Sequence, residues 1–248
     1  MDAGWSSTNP KDEGDAASGD LDEPTGSAEV AEVNDPIEPV NRLVFAVNDA
    51  VDVIVLKPVA TTYKFWAPEA LRNAVRNFLR NLATPVTLLN DVLQGNGSRA
   101  GETLARFALN TTIGFGGLGD PATEMGLQYH FEDFGQTLAV HGVGEGPYLV
   151  LPLLGPSTLR HTVGRGVDFA TDPLTYVLWK KPIYYSGGRK GAEILDNRTE
   201  LLKTIDDLKE TSVDYYATIR STYRQNRLSE INNGEVDIED LPDISDLE

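Results

Sequence analysis

The chain has no cysteine and only three histidines among 248 residues. Without a thiol, disulfides, thiolate catalysis and cysteine-ligated metal are excluded. Long uncharged apolar runs are missing too. A helix that crosses a bilayer needs about 18 such residues. The longest uncharged stretches are 107–119 (FALNTTIGFGGLG), 134–144 (FGQTLAVHGVG) and 146–159 (GPYLVLPLLGPSTL), each shorter and broken by Gly or Pro. Such segments lie in or dip into a membrane only where protein satisfies their backbone. The N-terminal MDAGWSSTNPKDEGDAASGD is polar throughout and holds no signal-peptide core. The chain is therefore expected to be cytoplasmic, or to be numbered from after a removed targeting segment.

Positive charge is nearly absent from both ends. Residues 1–36 carry ten acids and one base, and residues 229–248 carry eight acids and no base. These two stretches account for the whole net charge of −17, because 37–228 has twenty acids and twenty bases. Rich in Asp, Glu, Ser, Gly and Pro, the ends cannot bury enough apolar surface to offset their ordering entropy. The expected organisation is a disordered acidic tail over 1–33, a helical domain over 34–232 and a second acidic tail over 233–248. Such tails repel nucleic acid and anionic lipid, so nucleic acid is not an expected partner.

What is present is helix punctuation. Asp35-Pro36, Asp120-Pro121 and Asp172-Pro173 each place an N-cap acid before a first-turn proline. After the first, Val40, Leu43, Val44, Val47, Val51, Ile54 and Val55 recur at helical spacing, opposite Arg42, Asn48, Asp49 and Asp52. Lys57-Pro58 is expected to end that helix. A second pattern covers 68–82 and is expected to break at Pro85, with 86–93 continuing to Gly95-Asn96-Gly97. Its arginines Arg72, Arg76 and Arg80 form an i, i+4, i+8 stripe, read as a solvated face with Asn73 and Asn77 in preference to a row of lipid-phosphate contacts. Another amphipathic helix spans 98–113. Residues 114–165 hold eleven glycines and little helical periodicity, which predicts loops or irregular backbone. Helices return near 166–179 and over 192–232, with Ser212 as a cap within the last stretch and Asn233-Gly234 as its stop. The fold class is mainly α.

Motifs for chemistry are sparse. Gly142-Val143-Gly144-Glu145-Gly146 has its third glycine one residue early for a dinucleotide fingerprint, and Pro147 and Pro152 follow where the helix should run. Ser157 and His161 are four apart and suggest a dyad, but no orienting acid accompanies them, and a helix-capping serine with an incidental histidine is preferred. His130, Glu132 and Asp133 in HFED resemble a partial metal site without a second ligand cluster, so surface or capping roles are preferred. Tyr176, Trp179, Tyr184 and Tyr185 beside Lys180 and Lys181 suit a membrane interface, where rings and snorkelling lysines sit at headgroup level. Ordinary packing with two surface lysines fits the same residues equally well.

Four segments resemble, in order, the MlaA (VacJ) lipoprotein family. They are NDPIEPVNRLVFAVNDAVDVIVLKPVA (34–60), VRNFLRNLATPVTLLNDVLQG (75–95), RFALNTTIGFGGLGDPA (106–122) and EDFGQTLAVHGVGEGPYLVLPLLGPSTLR (132–160). The resemblance extends over about 34–232. It implies a single ring-like helical domain, embedded in one leaflet at the periplasmic face of the outer membrane, around an amphipathic channel. It implies removal of mislocalised phospholipid from the outer leaflet, delivery to the periplasmic lipid carrier MlaC, and association with a trimeric porin. No covalent chemistry and no cofactor are implied, so the chain is not expected to be an enzyme. A glycine-rich hairpin that controls lipid passage is matched here by Gly142, Gly144 and Gly146. Family members usually carry a lipobox cysteine; this chain has none, so either that residue was removed with a leader or this member lacks the anchor. The alternatives are an interfacial lipid hydrolase, which needs an activated nucleophile, and a porin-binding scaffold without lipid transfer.

Overall fold

The computed structural model describes residues 34–178, 181 and 183–234, without the side chains of 183–186. The expected acidic tails lie outside these residues, apart from Asn233 and Gly234, which end the last helix with φ of 57° and 77°.

The first helix outruns its proline. α1 (Glu38–Val51) passes through a π-turn (Asp52–Leu56) into α2 (Lys57–Trp66). Pro58 has no N–H, and its ring crowds the carbonyl four residues back. The π-turn widens the helix at that place, and the Lys57 N–H reaches back to the Asp52 carbonyl. The expected stop at Lys57-Pro58 is therefore corrected. Asp35 is not an N-cap either. Ile37 occupies that position with no side-chain cap. The Asp35 carboxylate instead accepts from Asn41, Tyr216 and Arg220, three bonds of which the one from the guanidinium pairs charge with charge, where a cap would accept only from backbone N–H.

The expected break at Pro85 is also absent. α3 (Glu69–Leu93) is continuous and lies along α4 (Gly97–Thr112), which Asn96 caps by accepting from the Arg99 N–H. A proline removes one helical hydrogen bond, and contacts to α4 hold the helix on both sides of it. Asn81 donates to Thr111 at 3.0 Å, and Asp91 accepts from Thr103 at 2.6 Å.

The glycine-rich stretch is more ordered than its composition suggests. α5 (Pro121–Glu124) is capped by Asp120 and α6 (Phe134–Val140) by Asp133. Helices this short span two turns or fewer, too few for a periodic apolar stripe. β1 (Tyr148–Leu151) and β2 (Gly155–Thr158) then form an antiparallel hairpin, with Tyr148 opposite Thr158 and Leu151 opposite Gly155. Leu153 (φ 62°) and Gly155 (φ 76°) turn the chain. Pro156 is tolerated because its partner Val150 sends its N–H the other way, to Asn41.

Two asparagines on α1, two turns apart, fasten this hairpin. Asn41 donates to the Tyr148 carbonyl (3.0 Å) and accepts from the Val150 N–H (2.9 Å). Asn48 donates to the Leu151 carbonyl (2.9 Å) and accepts from the Leu153 N–H (2.8 Å). Tyr148 and Val150 meet Tyr216, with Val44, Phe45 and Tyr223 against them, in a small apolar cluster.

Thr158 caps α7 (Leu159–Thr171), and Asp172 accepts from Leu174 N–H at the start of α8 (Pro173–Leu178). α9 (Ile183–Glu200), α10 (Leu202–Thr211) and α11 (Tyr215–Ile231) complete a mainly α fold. Asp214 caps α11 in place of the expected Ser212, whose hydroxyl donates to the Leu208 carbonyl.

Candidate functional site

An amphipathic pattern divides a helix into two faces without saying which one is buried. Here the polar faces turn inward. Among the described residues, nineteen polar or charged residues are buried against nine apolar ones. On α1, its π-turn and α2, Asn41 and Asp52 are buried or nearly so, while Leu43 is 66% exposed and Ile54 73%. Phe65 and Trp66 end α2 in the open, edge to face with each other. Phe78, Val92, Phe107, Ile113, Val163 and Phe169 continue the exposed apolar surface over α3, α4 and α7. Water-facing proteins keep their contiguous apolar patches small, and larger ones mark contact with lipid or another protein. No helix among the described residues is long and apolar enough to cross a membrane.

Many of the interior polar groups bond to one another. Asn90 donates to Asp168 (3.0 Å) and accepts from Thr137 (2.8 Å). Glu132 takes Arg99 and Gln94, at 2.8 and 2.9 Å. Asp133 takes both Arg227 nitrogens, at 2.8 and 3.1 Å, and the Gln136 N–H. Burial raises the carboxyl affinity of Glu132 and Asp168 for a proton. Burial pushes Asp133 the same way, but the Arg227 guanidinium overrides it and holds Asp133 below the ordinary range. His161 is pushed down to about 4 by burial, helped by Arg227 and Arg165 and opposed by Asp133. A paired, hydrogen-bonded interior of this kind keeps its place because breaking any one pair leaves a buried charge alone.

Ser157 and His161 do not meet as a dyad. Ser157 is fully buried, its Oγ against Thr162 (3.0 Å) and the Thr158 carbonyl. His161 places Nδ1 against the Tyr223 hydroxyl (2.7 Å), and its Nε2 accepts from Arg165 (3.1 Å). The capping role falls to Thr158, not Ser157. Of the HFED residues, His130, Glu132 and Asp133 are interior, not surface groups, while Phe131 is exposed. His130 sits against Asp91 and Thr103, Glu132 and Asp133 pair with arginines, and Asp133 also caps α6. Among the described residues no three His, Asp or Glu side chains gather as a metal site.

The arginine stripe is not a uniform solvated face. Arg72 donates to the Lys64 carbonyl (3.1 Å), and Arg76 pairs with Asp196 (2.9 Å) and Glu200 on α9. Arg80 lies 4.3 Å over the Tyr129 ring. Gly142, Gly144 and Gly146 occupy the connection from α6 to β1, and the hairpin itself follows at 148–158. Gly142 and Gly146 have φ of 82° and 68°, which favours glycine. Arg160 donates to the Val143 carbonyl (2.7 Å), and Glu145 lies 3.5 Å from Arg224. Tyr176 is exposed with its hydroxyl on the Ala170 carbonyl, and Lys181 is exposed. Trp179 and Lys180, and the side chains of Tyr184 and Tyr185, lie outside the described residues. The interior groups Asn41, Asn90, Thr137 and Arg227 carry no spacing motif. The one signal for them in the sequence is the polar stripe each contributes to an amphipathic helix.

A family model described as MlaA lipoprotein matches residues 33–230. The intermembrane phospholipid transport system lipoprotein MlaA of Escherichia coli (strain K12) is 32% identical over 213 residues, covering 84% of this chain and 83% of that protein. The protein of the same description from Haemophilus influenzae is 31% identical over 226 residues, 87% of each chain. An uncharacterized protein of Rickettsia bellii is 38% identical over 197 residues, 79% of this chain and 76% of its own. A solved structure described as "Structural basis for maintenance of bacterial outer membrane lipid asymmetry" superposes with a TM-score of 0.72 and 34% identity, covering 80% of this chain and 99% of that one.

Proposed function

The chain belongs to the MlaA lipoprotein family, and we propose that it withdraws mislocalised phospholipid from the outer leaflet of the outer membrane. In this reading it sits at the periplasmic face, embedded in one leaflet. It passes the lipid through an amphipathic channel to a periplasmic carrier of the MlaC kind, and it rests beside a trimeric porin. Its product is lipid asymmetry, not a covalent change. The observation that carries the reading is the exposure of apolar helix faces over a paired polar interior. Apolar side chains at the rim lower the free energy of a helix lying among acyl chains, while the inward carboxylates Asp91, Glu132, Asp133 and Asp168 are each hydrogen-bonded within the protein. The family's relatives are described as phospholipid transport lipoproteins, which selects lipid over a protein partner for that surface.

Gly142, Gly144 and Gly146 form the hinge of the lipid gate in this proposal, and Tyr176, Trp179, Lys180, Lys181, Tyr184 and Tyr185 its headgroup-level anchor. The test is the outer-leaflet content of phosphatidylethanolamine, measured with a membrane-impermeant amine reagent on intact cells. Deleting the gene raises it and restoring the chain lowers it. An unchanged content overturns the proposal. Lipid extracted from the purified protein is intact phospholipid; recovery of lysophospholipid and fatty acid alone overturns passive transfer in favour of hydrolysis.

A further inference from the structure

We infer that Arg80, in the cleft between α3 and α4, holds the phosphodiester of a phospholipid whose acyl chains lie against the adjoining turn at 113–118. The inference rests on the lipid-transport reading above and adds a subsite to it. Three observations converge there.

The first is charge. Arg72 and Arg76 of the same stripe are engaged by backbone and by carboxylates. Arg80 has no carboxylate within ion-pair distance among the described residues and is exposed, steadied by the Tyr129 ring at 4.3 Å. Arg106, the other guanidinium of the cleft, is neutralised by two bonds of 2.9 Å to Asp120. Among the described residues the cleft thus presents one positive charge without a carboxylate partner, which matches the single negative charge of a phosphodiester. A guanidinium fork pairs with phosphate oxygens two at a time. Thr84, Asn77 and Asn110 line the same cleft, but Thr84 donates to the Arg80 carbonyl, Asn77 to the Leu118 carbonyl and Asn110 to Asp120, so the phosphate contact falls to Arg80.

The second is the turn beside it. Ile113, Phe115 and Leu118 are 58%, 85% and 49% exposed. Phe115 has φ of 53°, a conformation that a phenylalanine rarely adopts.

The third is rigidity. A Cβ on Gly117 would lie 2.5 Å from the Asn81 side chain, and one on Gly114 would lie 2.5 Å from the Asn110 carbonyl. Asn77 donates to the Leu118 carbonyl at 3.4 Å. The turn is therefore pressed onto the polar cleft and presents its apolar tip outward. A strained residue held so firmly points to a use for the displayed side chain. A polar cleft with this cation, bordered by a fixed apolar tip, has the amphipathic form of a phospholipid.

The test uses the full chain in cells, with a photoreactive benzoylphenylalanine at Phe115 or, as a second position, at Val47 on the exposed face of α1. Lipid acyl chains are labelled with radioactive acetate, so free phosphate cannot contribute. Irradiation yields a labelled lipid adduct at both positions. Arg80→Gln lowers the yield at 115 by about tenfold, the loss of one charge-assisted contact, and leaves the yield at 47 unchanged; Arg80→Lys recovers much of it. Equal yields at 115 with and without Arg80 overturn the subsite while leaving the transport reading in place. Lipid adducts at neither position overturn that reading itself. A protein adduct at 115 overturns the subsite in favour of a protein contact. Because Arg80 is exposed and the substitution removes only its stack on the Tyr129 ring, Arg80→Gln melts within about 4 °C of the parent chain, which separates loss of binding from loss of fold.

Discussion

Replacing Asn41 by leucine tests whether polar burial holds this fold together. The side chain is 2% exposed and serves three partners: the Asp35 carboxylate (2.7 Å), the Tyr148 carbonyl and the Val150 N–H. Leucine is close in volume, so no cavity opens, but it neither donates nor accepts. Tyr148 and Val150 are 2% and 5% exposed, so water does not reach the backbone groups left behind. Each orphaned group costs about 1–3 kcal/mol, and the lost bond to a carboxylate adds a similar amount, for a total of about 4–5 kcal/mol. In a domain of this size each kcal/mol moves the melting temperature by about 2–4 °C, so Asn41→Leu melts about 8–20 °C lower. Asn48 makes the same pair of bonds, but Leu153 is 66% exposed and water takes over there. Asn48→Leu should cost about 1 kcal/mol. The assay is thermal unfolding followed by far-ultraviolet circular dichroism in one detergent for all chains. A melt of Asn41→Leu within about 3 °C of the parent, or equal losses at the two positions, would refute the reasoning.

Other expectations follow from the same geometry. The His161 ring protonates near 4 in the folded chain and near its ordinary 6.5 when unfolded. Its stabilisation is therefore complete above pH 6.5 and falls by about 3 kcal/mol as the pH drops towards 4. His161→Gln should flatten that part of a urea-unfolding pH profile, and an unchanged profile assigns the loss to other groups. A Cβ on Gly164 would lie 2.4 Å from the Gly135 nitrogen, where α6 and α7 touch, whereas Gly166 on α7 has open space around it. Gly164→Ala should lose about 2 kcal/mol or more, and Gly166→Ala should gain up to about 1 kcal/mol; equal behaviour in urea would contradict the close approach. Gly144 also has open space, so Gly144→Val should leave the melt unchanged while altering outer-leaflet phosphatidylethanolamine. Normal lipid content in that variant removes Gly144 from the hinge.

Local chemistry was the legible part of the fold. Asp120 and Asn233-Gly234 act as read, because a cap needs only the residues within one turn of it. Asp35 and Ser212 were misread because their partners, Arg220 and the Leu208 carbonyl, are set by distant chain or by the helix already formed. Pro58 and Pro85 looked like stops because proline's local cost is visible in sequence, while the π-turn and the α4 contacts that absorb it are not. The stripe on α1 was visible as two faces, yet only the structure assigns Leu43 to the outside and Asn41 to the inside. For the candidate site, four ordered segments pointed to the family. The distinction between Arg76 and Arg80, four residues apart on one stripe, depends on where Asp196 and Tyr129 fall in space.

The seating of Asn41 against the hairpin has a further consequence for association. A two-stranded ribbon ordinarily leaves an outer row of peptide groups open to an extended segment from another molecule. On β1 that row is occupied. The Tyr148 N–H goes to the Asn34 carbonyl, and the Tyr148 carbonyl and Val150 N–H go to Asn41. On β2, Pro156 has no N–H to offer. One side-chain amide, the Asn34 carbonyl and a proline thus take places a neighbouring strand would use, so the hairpin resists recruitment into a larger sheet even beside an exposed apolar surface that would otherwise draw copies together.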